Sequence, residues 1–136
     1  MEKTFVAKVD NLHEVLCFLE EQLESFGASM KVINVMSISL EEMYANVCLY
    51  AYETPNTDNL CTIDIWLDEN QYANVKLIDS GMPFNPLQKD DPDVHASIED
   101  RGIGGLGIYM VKEYMDECTY ERIDDKNIFV MRKKIQ

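Results

Sequence analysis

Hydrophobic and polar positions change their spacing several times along the chain, and each change predicts a new element. Residues 4–9, TFVAKV, alternate and predict a strand. Residues 11–26 carry apolar side chains at intervals of three and four, which is typical of an amphipathic helix. The same spacing returns from about residue 29 to residue 53 and predicts a second helix, which the polar TPNTDN segment ends.

The second half of the chain is rich in strand patterns. Residues 61–68 alternate cleanly, and residues 72–79 predict another strand after a short polar turn, so the two predict a hairpin. Residues 80–101 hold three of the four prolines and many acids, which predicts a long loop. A short helix at about 105–116 and a second hairpin, made by CTYERI and NIFVMRK, are predicted after that loop.

This order of elements, β-α-α-β-β-loop-α-β-β, predicts an α+β protein. Strands with one apolar face, joined by hairpins, favour a mixed, mostly antiparallel sheet. Helices would cover one face of that sheet, which gives a two-layer sandwich. The length of 136 residues suits one domain spanning residues 1–136.

The net charge of the chain argues against two classes of binding partner. The chain has 25 acidic and 12 basic residues and a net charge of −13. A surface that acidic repels nucleic acid and anionic membranes, so we expect direct binding to neither. The amino terminus has no hydrophobic leader and no apolar run approaches the roughly 20 residues of a membrane span, which predicts a cytoplasmic protein.

Residues 102–107, GIGGLG, fit the Gly-x-Gly-x-x-Gly pattern of phosphate-binding turns. A Rossmann fold would need a strand directly before the glycines and further βαβ units after them. Here an acidic loop precedes the glycines and too little chain follows them, so that interpretation fails. Glycines that open a helix can still bring phosphate to its free amides. Considered alone, they are better interpreted as the hinge of a loop.

Two further motifs precede the glycines. Glu42 and Asn46 are four residues apart on the second helix and share a face. A carboxylate and an amide oxygen so placed can organise a hard cation and a hydroxyl between them, although a solvated helix face is the alternative. Asp79 ends a strand in LIDSGMPFNP, where it can accept a hydrogen bond from an exocyclic amine while Gly81 leaves room for a flat ring. The alternative there is an ordinary turn.

Together and in this order, the three motifs resemble those of the ATP-binding domain of the GHKL superfamily, which includes gyrase, the ninety-kilodalton chaperone, histidine kinases and the MutL repair proteins. The chain is most similar to the stand-alone anti-sigma factor serine/threonine kinases. LEEMYANVCLYAYE resembles their N-box, IDSGMPFNP their D-x-G-x-x-F-x-P form of the G1 box, and IGGLGIYMVKEYMDECTYE their G2 box. The resemblance covers nearly the whole chain and implies the two-layer GHKL (Bergerat) fold.

The resemblance also implies roles for particular residues. Glu42 would be the general base that takes a proton from a Ser or Thr hydroxyl of a partner protein. Asn46 would hold Mg²⁺, Asp79 would receive the adenine amine, and Gly81 would lie beside the base. The residues implied in phosphate binding are Arg101, Gly102, Gly104, Gly105, Leu106 and Gly107, and residues 85–101 would form the ATP lid.

The implied function is that of an ATP- and Mg²⁺-dependent serine/threonine-protein kinase that sequesters a sigma factor and phosphorylates its antagonist. The alternative is an ATP-responsive regulatory binding module without phosphoryl transfer. Two departures from the family favour that alternative: Tyr50 stands where many relatives have His, and the implied lid is acidic. Relatives often form homodimers through the sheet, and the face that carries Trp66 is the candidate surface.

Overall fold

The computed structural model of the protein describes residues 1–88 and 105–136. In these residues the strands and helices follow the predicted order. They are β1 Glu2–Val6, α1 Leu12–Ser25, α2 Met30–Asn46, β2 Leu60–Leu67, β3 Tyr72–Asp79, α3 Gly105–Tyr114, β4 Glu117–Ile123 and β5 Lys126–Lys134. No helix in these two parts of the chain is long and apolar enough to cross a membrane.

The five strands form one sheet in the order β1-β2-β3-β5-β4. Every neighbouring pair is antiparallel, so the described sheet is antiparallel throughout. The segment that contains α3 carries the chain from β3 to the far edge strand, β4. The final hairpin then brings β5 back between β4 and β3. As a result, the end of β3 lies beside the beginning of β5, and Asp79 pairs with Asn127.

The core lies between one face of the sheet and the three helices. Alternate residues of the central strands point into it, while α2 packs against both α1 and α3. The fully buried contributors include Ile63 and Ile65 of β2, Val75 of β3, Met131 of β5, and Met36 and Leu40 of α2. This arrangement confirms the predicted α+β fold with helices on one face.

The second helix differs from its predicted form. It is α-helical only as far as Asn46, and Val47–Ala51 then form a π-helical turn. The apolar spacing continues through both segments, so the sequence pattern could not separate them. At the end of the turn, the carbonyl oxygen of Ala51 accepts a hydrogen bond from the amide of Met82 at 2.8 Å. The wider turn therefore ends in contact with the segment that follows β3.

Candidate functional site

A cavity of about 180 Å³ opens between the end of α2 and the neighbouring ends of β3 and β5. Most of its walls are apolar, and a few polar side chains reach it from different elements. The lining residues are Met43, Asn46, Val47, Tyr50, Ala51, Leu77, Asp79, Met82, Pro83, Phe84, Pro86, Tyr120, Asn127 and Phe129. An apolar slot with few convergent polar groups is the usual form of a small-molecule site.

Asp79 is the acidic group of this cavity. It is the last residue of β3 and its side chain is buried. Its Oδ1 accepts hydrogen bonds from the Gly81 amide at 2.9 Å and from Asn127 Nδ2 at 3.0 Å. Within the described residues, no hydrogen bond reaches Oδ2. The carboxylate is therefore fixed through one oxygen, and the other is available to a hydrogen-bond donor in the cavity.

Gly81 is required by a close approach between two backbone segments. A Cβ built on Gly81 would overlap the carbonyl oxygen of Ala51 and lie 2.6 Å from its Cβ. Because the obstacle is largely backbone, it cannot move aside as a flexible side chain could. The turn after β3 therefore packs directly against the π-helical turn only while residue 81 is glycine.

Asn127 is a site residue to which the sequence analysis assigned no role. It is buried at the beginning of β5. Its Nδ2 donates to Asp79 Oδ1 and to the carbonyl oxygen of Met82, at 3.0 and 2.8 Å. Its Oδ1 accepts from the Tyr120 hydroxyl at 2.5 Å and from the Phe84 amide at 3.3 Å. One amide thus fixes both the carboxylate and the segment beyond it.

The backbone around Asp79 is held from two more directions. The Tyr52 hydroxyl donates to the carbonyl oxygen of Leu60 at 2.6 Å and accepts from the Ser80 amide at 3.0 Å. Burial raises the pKa of Tyr52, so its hydroxyl keeps the proton that this bridge needs. Arg122 Nη1 donates to the carbonyl oxygen of Gly81 at 2.8 Å. Side chains from three elements therefore hold the turn through hydrogen bonds to its backbone.

Asn46, the last residue of α2, lines the same cavity. Its Nδ2 is buried and has no hydrogen-bond partner in the described part of the chain. Leaving such an atom unpaired costs about 1–3 kcal/mol, and native proteins seldom do so without a reason. A half-turn of the side-chain amide would present its oxygen at the same position. An amide oxygen is a suitable ligand for a hard cation, so this residue fits Mg²⁺.

Glu42 lies one helical turn before Asn46, at the interface of α2 and α3. Its carboxylate lies directly against Gly107, in the first turns of α3, and a Cβ at residue 107 would overlap it. A narrow crevice, to which Ser39 and Met110 also contribute, surrounds this contact. The absence of a side chain at Gly107 therefore makes room for the Glu42 carboxylate.

The structure brings the predicted site residues together in two adjoining groups. Asn46 and Asp79 line the cavity beside Gly81, whereas Glu42 and Gly107 meet in the crevice between α2 and α3. Gly105 and Leu106 begin α3. Arg101, Gly102, Gly104 and residues 89–101 of the predicted lid lie outside the described residues.

Two features near the cavity were not assigned from the sequence. Tyr50 lines the cavity while about half of its side chain remains exposed. Asn127 offered only a weak signal, namely a polar residue at the start of a strand after a tight turn. Its role depends on the pairing of β5 with β3, which no local pattern specifies.

Comparison with known proteins gives a family match. Residues 5–133 match the model of the histidine kinase-like ATPase domain. Among curated proteins, the chain is similar to an anti-sigma F factor from Clostridium acetobutylicum strain ATCC 824. The two are 20% identical over 134 residues, which is 98% of this chain and 92% of that protein.

Solved structures share the fold. The RsbU and RsbW domains of Rv1364c from Mycobacterium tuberculosis match 99% of this chain with a TM-score of 0.72 and 16% identity, although this chain spans only 31% of that one. A chain of the SiaB-SiaC complex from Pseudomonas aeruginosa matches 98% of this chain and 88% of its own length, with a TM-score of 0.63 and 16% identity. At these identities, the likeness concerns the fold alone.

Proposed function

The chain belongs to the histidine kinase-like ATPase domain family, which implies ATP as its ligand. On that premise, we propose that the protein is an ATP-binding anti-sigma regulatory factor with serine/threonine-protein kinase activity. One observation carries the proposal. The Asp79 carboxylate is fixed through Oδ1 in the wall of an apolar cavity, and its second oxygen has no hydrogen bond from any described residue.

Adenine fits the chemistry of this cavity. A flat aromatic ring suits apolar walls such as those given by Leu77 and Phe129. Its exocyclic amine would donate to Asp79 Oδ2, a bond that a ring without an amine could not make. Discrimination of this kind is strong, because the wrong base would leave a buried polar group unpaired.

The phosphates would extend from the cavity toward the beginning of α3. Asn46 would supply an amide oxygen to Mg²⁺, which neutralises charge on the phosphates when it is bound. Gly102, Gly104, Gly105, Leu106 and Gly107, which precede or begin α3 in the sequence, would contribute backbone amides of the helix N-terminus. We assign Arg101 a phosphate contact and residues 85–101 the role of a lid, both by resemblance.

Glu42 is the residue we propose as general base. It would accept the proton of a partner's Ser or Thr hydroxyl as that oxygen bonds to the γ-phosphorus of ATP and ADP leaves. The carboxylate lies against Gly107, beside the helix that would approach the phosphates. Geometry of this kind matters, because a misplacement of about 1 Å can cost roughly 100-fold in rate.

The partners we propose are a sigma factor, which the protein would sequester, and the antagonist that it would phosphorylate. Two similar proteins support this class: one is an anti-sigma F factor, and the other belongs to the SiaB-SiaC complex. Such sequestration would take place in the cytoplasm. For a homodimer we propose the open face of the sheet, where Trp66, Ile78, Ile128 and Val130 are only partly buried.

An ATP-responsive binding module without phosphoryl transfer is the second candidate. The position of Glu42 favours it, since the carboxylate lies in the crevice between α2 and α3 and does not line the cavity. Tyr50 in place of the family His favours it as well. Both candidates require ATP binding, and only the first requires Glu42.

Calorimetric titration with ATP, with and without Mg²⁺, tests the nucleotide site. We expect Mg²⁺-dependent binding that Asn46→Ala weakens by at least tenfold, because Asn46 lines the cavity and can hold the cation. Asn34→Ala is the matched control, since Asn34 is exposed on the same helix. Absence of ATP binding in the native protein would contradict both candidate functions.

Transfer of labelled phosphate to a co-purified antagonist separates the two candidates. Glu42→Ala should abolish transfer while ATP binding persists, and Glu41→Ala should leave transfer unchanged because Glu41 is exposed and points away from that face. If the native protein binds ATP and its partner but transfers nothing, the binding module is correct.

A further inference from the structure

A second cleft, of about 480 Å³, lies at the opposite end of the sheet from the cavity that Asp79 lines. Ser29 and Lys31 border it at the beginning of α2, and Lys133 and Lys134 border it at the end of β5. Because the strand β3 runs from this cleft to the cavity, the two are about 23 Å apart. A ligand in the cleft would therefore leave the cavity open.

The cleft is basic in a protein whose net charge is −13. Among the side chains that line it are three lysines and one carboxylate, that of Asp116. That carboxylate is already engaged: its Oδ1 lies 3.8 Å from Lys133 Nζ, and its Oδ2 accepts from the Lys134 amide at 2.8 Å. Lys31 and the ammonium group of Lys134 form no ion pair with any described residue.

The surroundings of the lysines add to the positive potential. The first turn of α2 contains no acidic residue, although acids are the residues that stabilise this end of a helix. Lys31 stands there instead, beside the Ser29 cap. Across the cleft, Lys134 Nζ lies 5.5 Å from the centre of the Tyr72 ring, which holds the ammonium group on an aromatic face. Positive groups therefore face the cleft from two elements.

We propose that this cleft, formed by Lys31, Lys133, Lys134 and Tyr72, binds an acidic segment of a partner protein. Carboxylates spaced along a peptide can pair separately with Lys31 on α2 and with Lys134 on β5. Long polyanions such as nucleic acid fit less well, since the acidic remainder of the surface repels them. The inference goes beyond the proposed function, because the cleft requires neither ATP nor phosphoryl transfer.

Fluorescence anisotropy with a short labelled peptide of alternating glutamate and alanine tests the inference. The double variant Lys31→Gln/Lys134→Gln should weaken binding by roughly tenfold, the loss expected for two ion pairs at a partly open surface. Lys8→Gln/Lys126→Gln is the matched control, because both lysines are exposed away from the cleft and the charge change is the same. The control should bind as the native protein does.

An arginine variant, thermal melting and a titration with ATP and Mg²⁺ complete the experiment. Lys31→Arg/Lys134→Arg should restore binding if charge in the cleft is what the peptide recognises, and thermal melting verifies that all variants fold. Adding ATP and Mg²⁺ should not change the affinity, which separates this inference from the nucleotide site. No binding to the native protein, equal losses in the cleft and control variants, or tighter lysine-dependent binding of a single-stranded oligonucleotide or of phosphatidylserine vesicles would overturn it.

Discussion

At the scale of single residues, two glycines are explained by the atoms that approach them. Gly81 faces the backbone of Ala51, which cannot move aside, whereas Gly107 faces the end of the Glu42 side chain, which can. The same substitution should therefore have different effects at the two positions. At Gly81 it would disturb the fold, and at Gly107 it would displace a candidate catalytic group.

Gly107→Ala is expected to separate stability from catalysis. Alanine is a better helix former than glycine by about 0.5–1 kcal/mol, so the free energy of unfolding should not fall. The new Cβ would push the Glu42 carboxylate aside, and phosphoryl transfer should fall by roughly 100-fold. Urea denaturation and a phosphotransfer assay measure the two effects.

Gly81→Ala serves as the contrasting variant for that prediction. Overlap with backbone atoms should lower its free energy of unfolding by about 1–3 kcal/mol. If Gly107→Ala transferred phosphate at the native rate, the contact between Glu42 and Gly107 would have no catalytic importance.

At the scale of elements, the site depends on where the end of α2, the end of β3 and the beginning of β5 meet. The π-helical turn brings Ala51 to the turn after β3, and Asn127 binds that turn from the β5 side. Extra-wide turns of this kind are rare and often occur at functional sites. Here the turn separates the helix that carries Glu42 and Asn46 from the segment that supports Asp79.

Asn127→Ala should weaken the contacts between the beginning of β5 and the turn after β3. Removing the amide leaves Asp79 Oδ1 with one hydrogen bond and removes the partners of Tyr120 and of the Met82 carbonyl oxygen. We expect a loss of about 2–3 kcal/mol in the free energy of unfolding and at least tenfold weaker ATP binding. Chemical denaturation and calorimetry measure these quantities.

Tyr120→Phe is the graded control for Asn127. It removes only the hydrogen bond from the hydroxyl to Asn127 Oδ1 and retains the ring in the cavity wall. Its expected cost is about 1 kcal/mol, with ATP affinity close to native. Equal effects of the two substitutions would show that Asn127 acts only through Tyr120.

At the scale of the whole molecule, one buried thiol, two partly buried thiols and a buried phenol connect stability with pH. Burial raises the pKa of Cys61, Cys48 and Tyr44, and it raises the pKa of Cys118 to about 11. In the unfolded chain a thiol titrates near 8.5 and a phenol near 10. Above about pH 8.5, the folded protein therefore holds protons that the unfolded chain releases.

The stability of the protein should consequently decline in alkaline solution. A folded-state pKa above the unfolded one leaves stability intact below about pH 8.5 and lowers it as the pH rises toward the folded value. We expect the melting temperature to fall progressively above that pH, and to fall less steeply in Cys118→Ala. High salt would separate this effect from the repulsion caused by the net charge of −13. A constant melting temperature across this range would contradict the prediction.

The elements themselves were predictable because their information is local. The strand predicted at residues 72–79 has the exact bounds of β3, and the helical spacing of residues 11–26 predicted α1 to within one residue at each end. These patterns arise because each element buries one face, and burial imposes a period on the sequence. The predicted first strand was less accurate, since β1 ends at Val6 and a 3-10 turn occupies Val9–Asn11.

The sequence by itself determined the α+β class, the order of the elements, the family resemblance and the candidate residues Glu42, Asn46, Asp79 and Gly81. Only the tertiary structure decided that Asn127 supports Asp79, that Gly107 makes room for Glu42, and that lysines from α2 and β5 share one cleft. The physical reason is the range of the interactions. Periodicity and turn chemistry act between near neighbours, whereas these contacts join residues that only the pairing of β5 with β3 and the packing of α3 on α2 bring together.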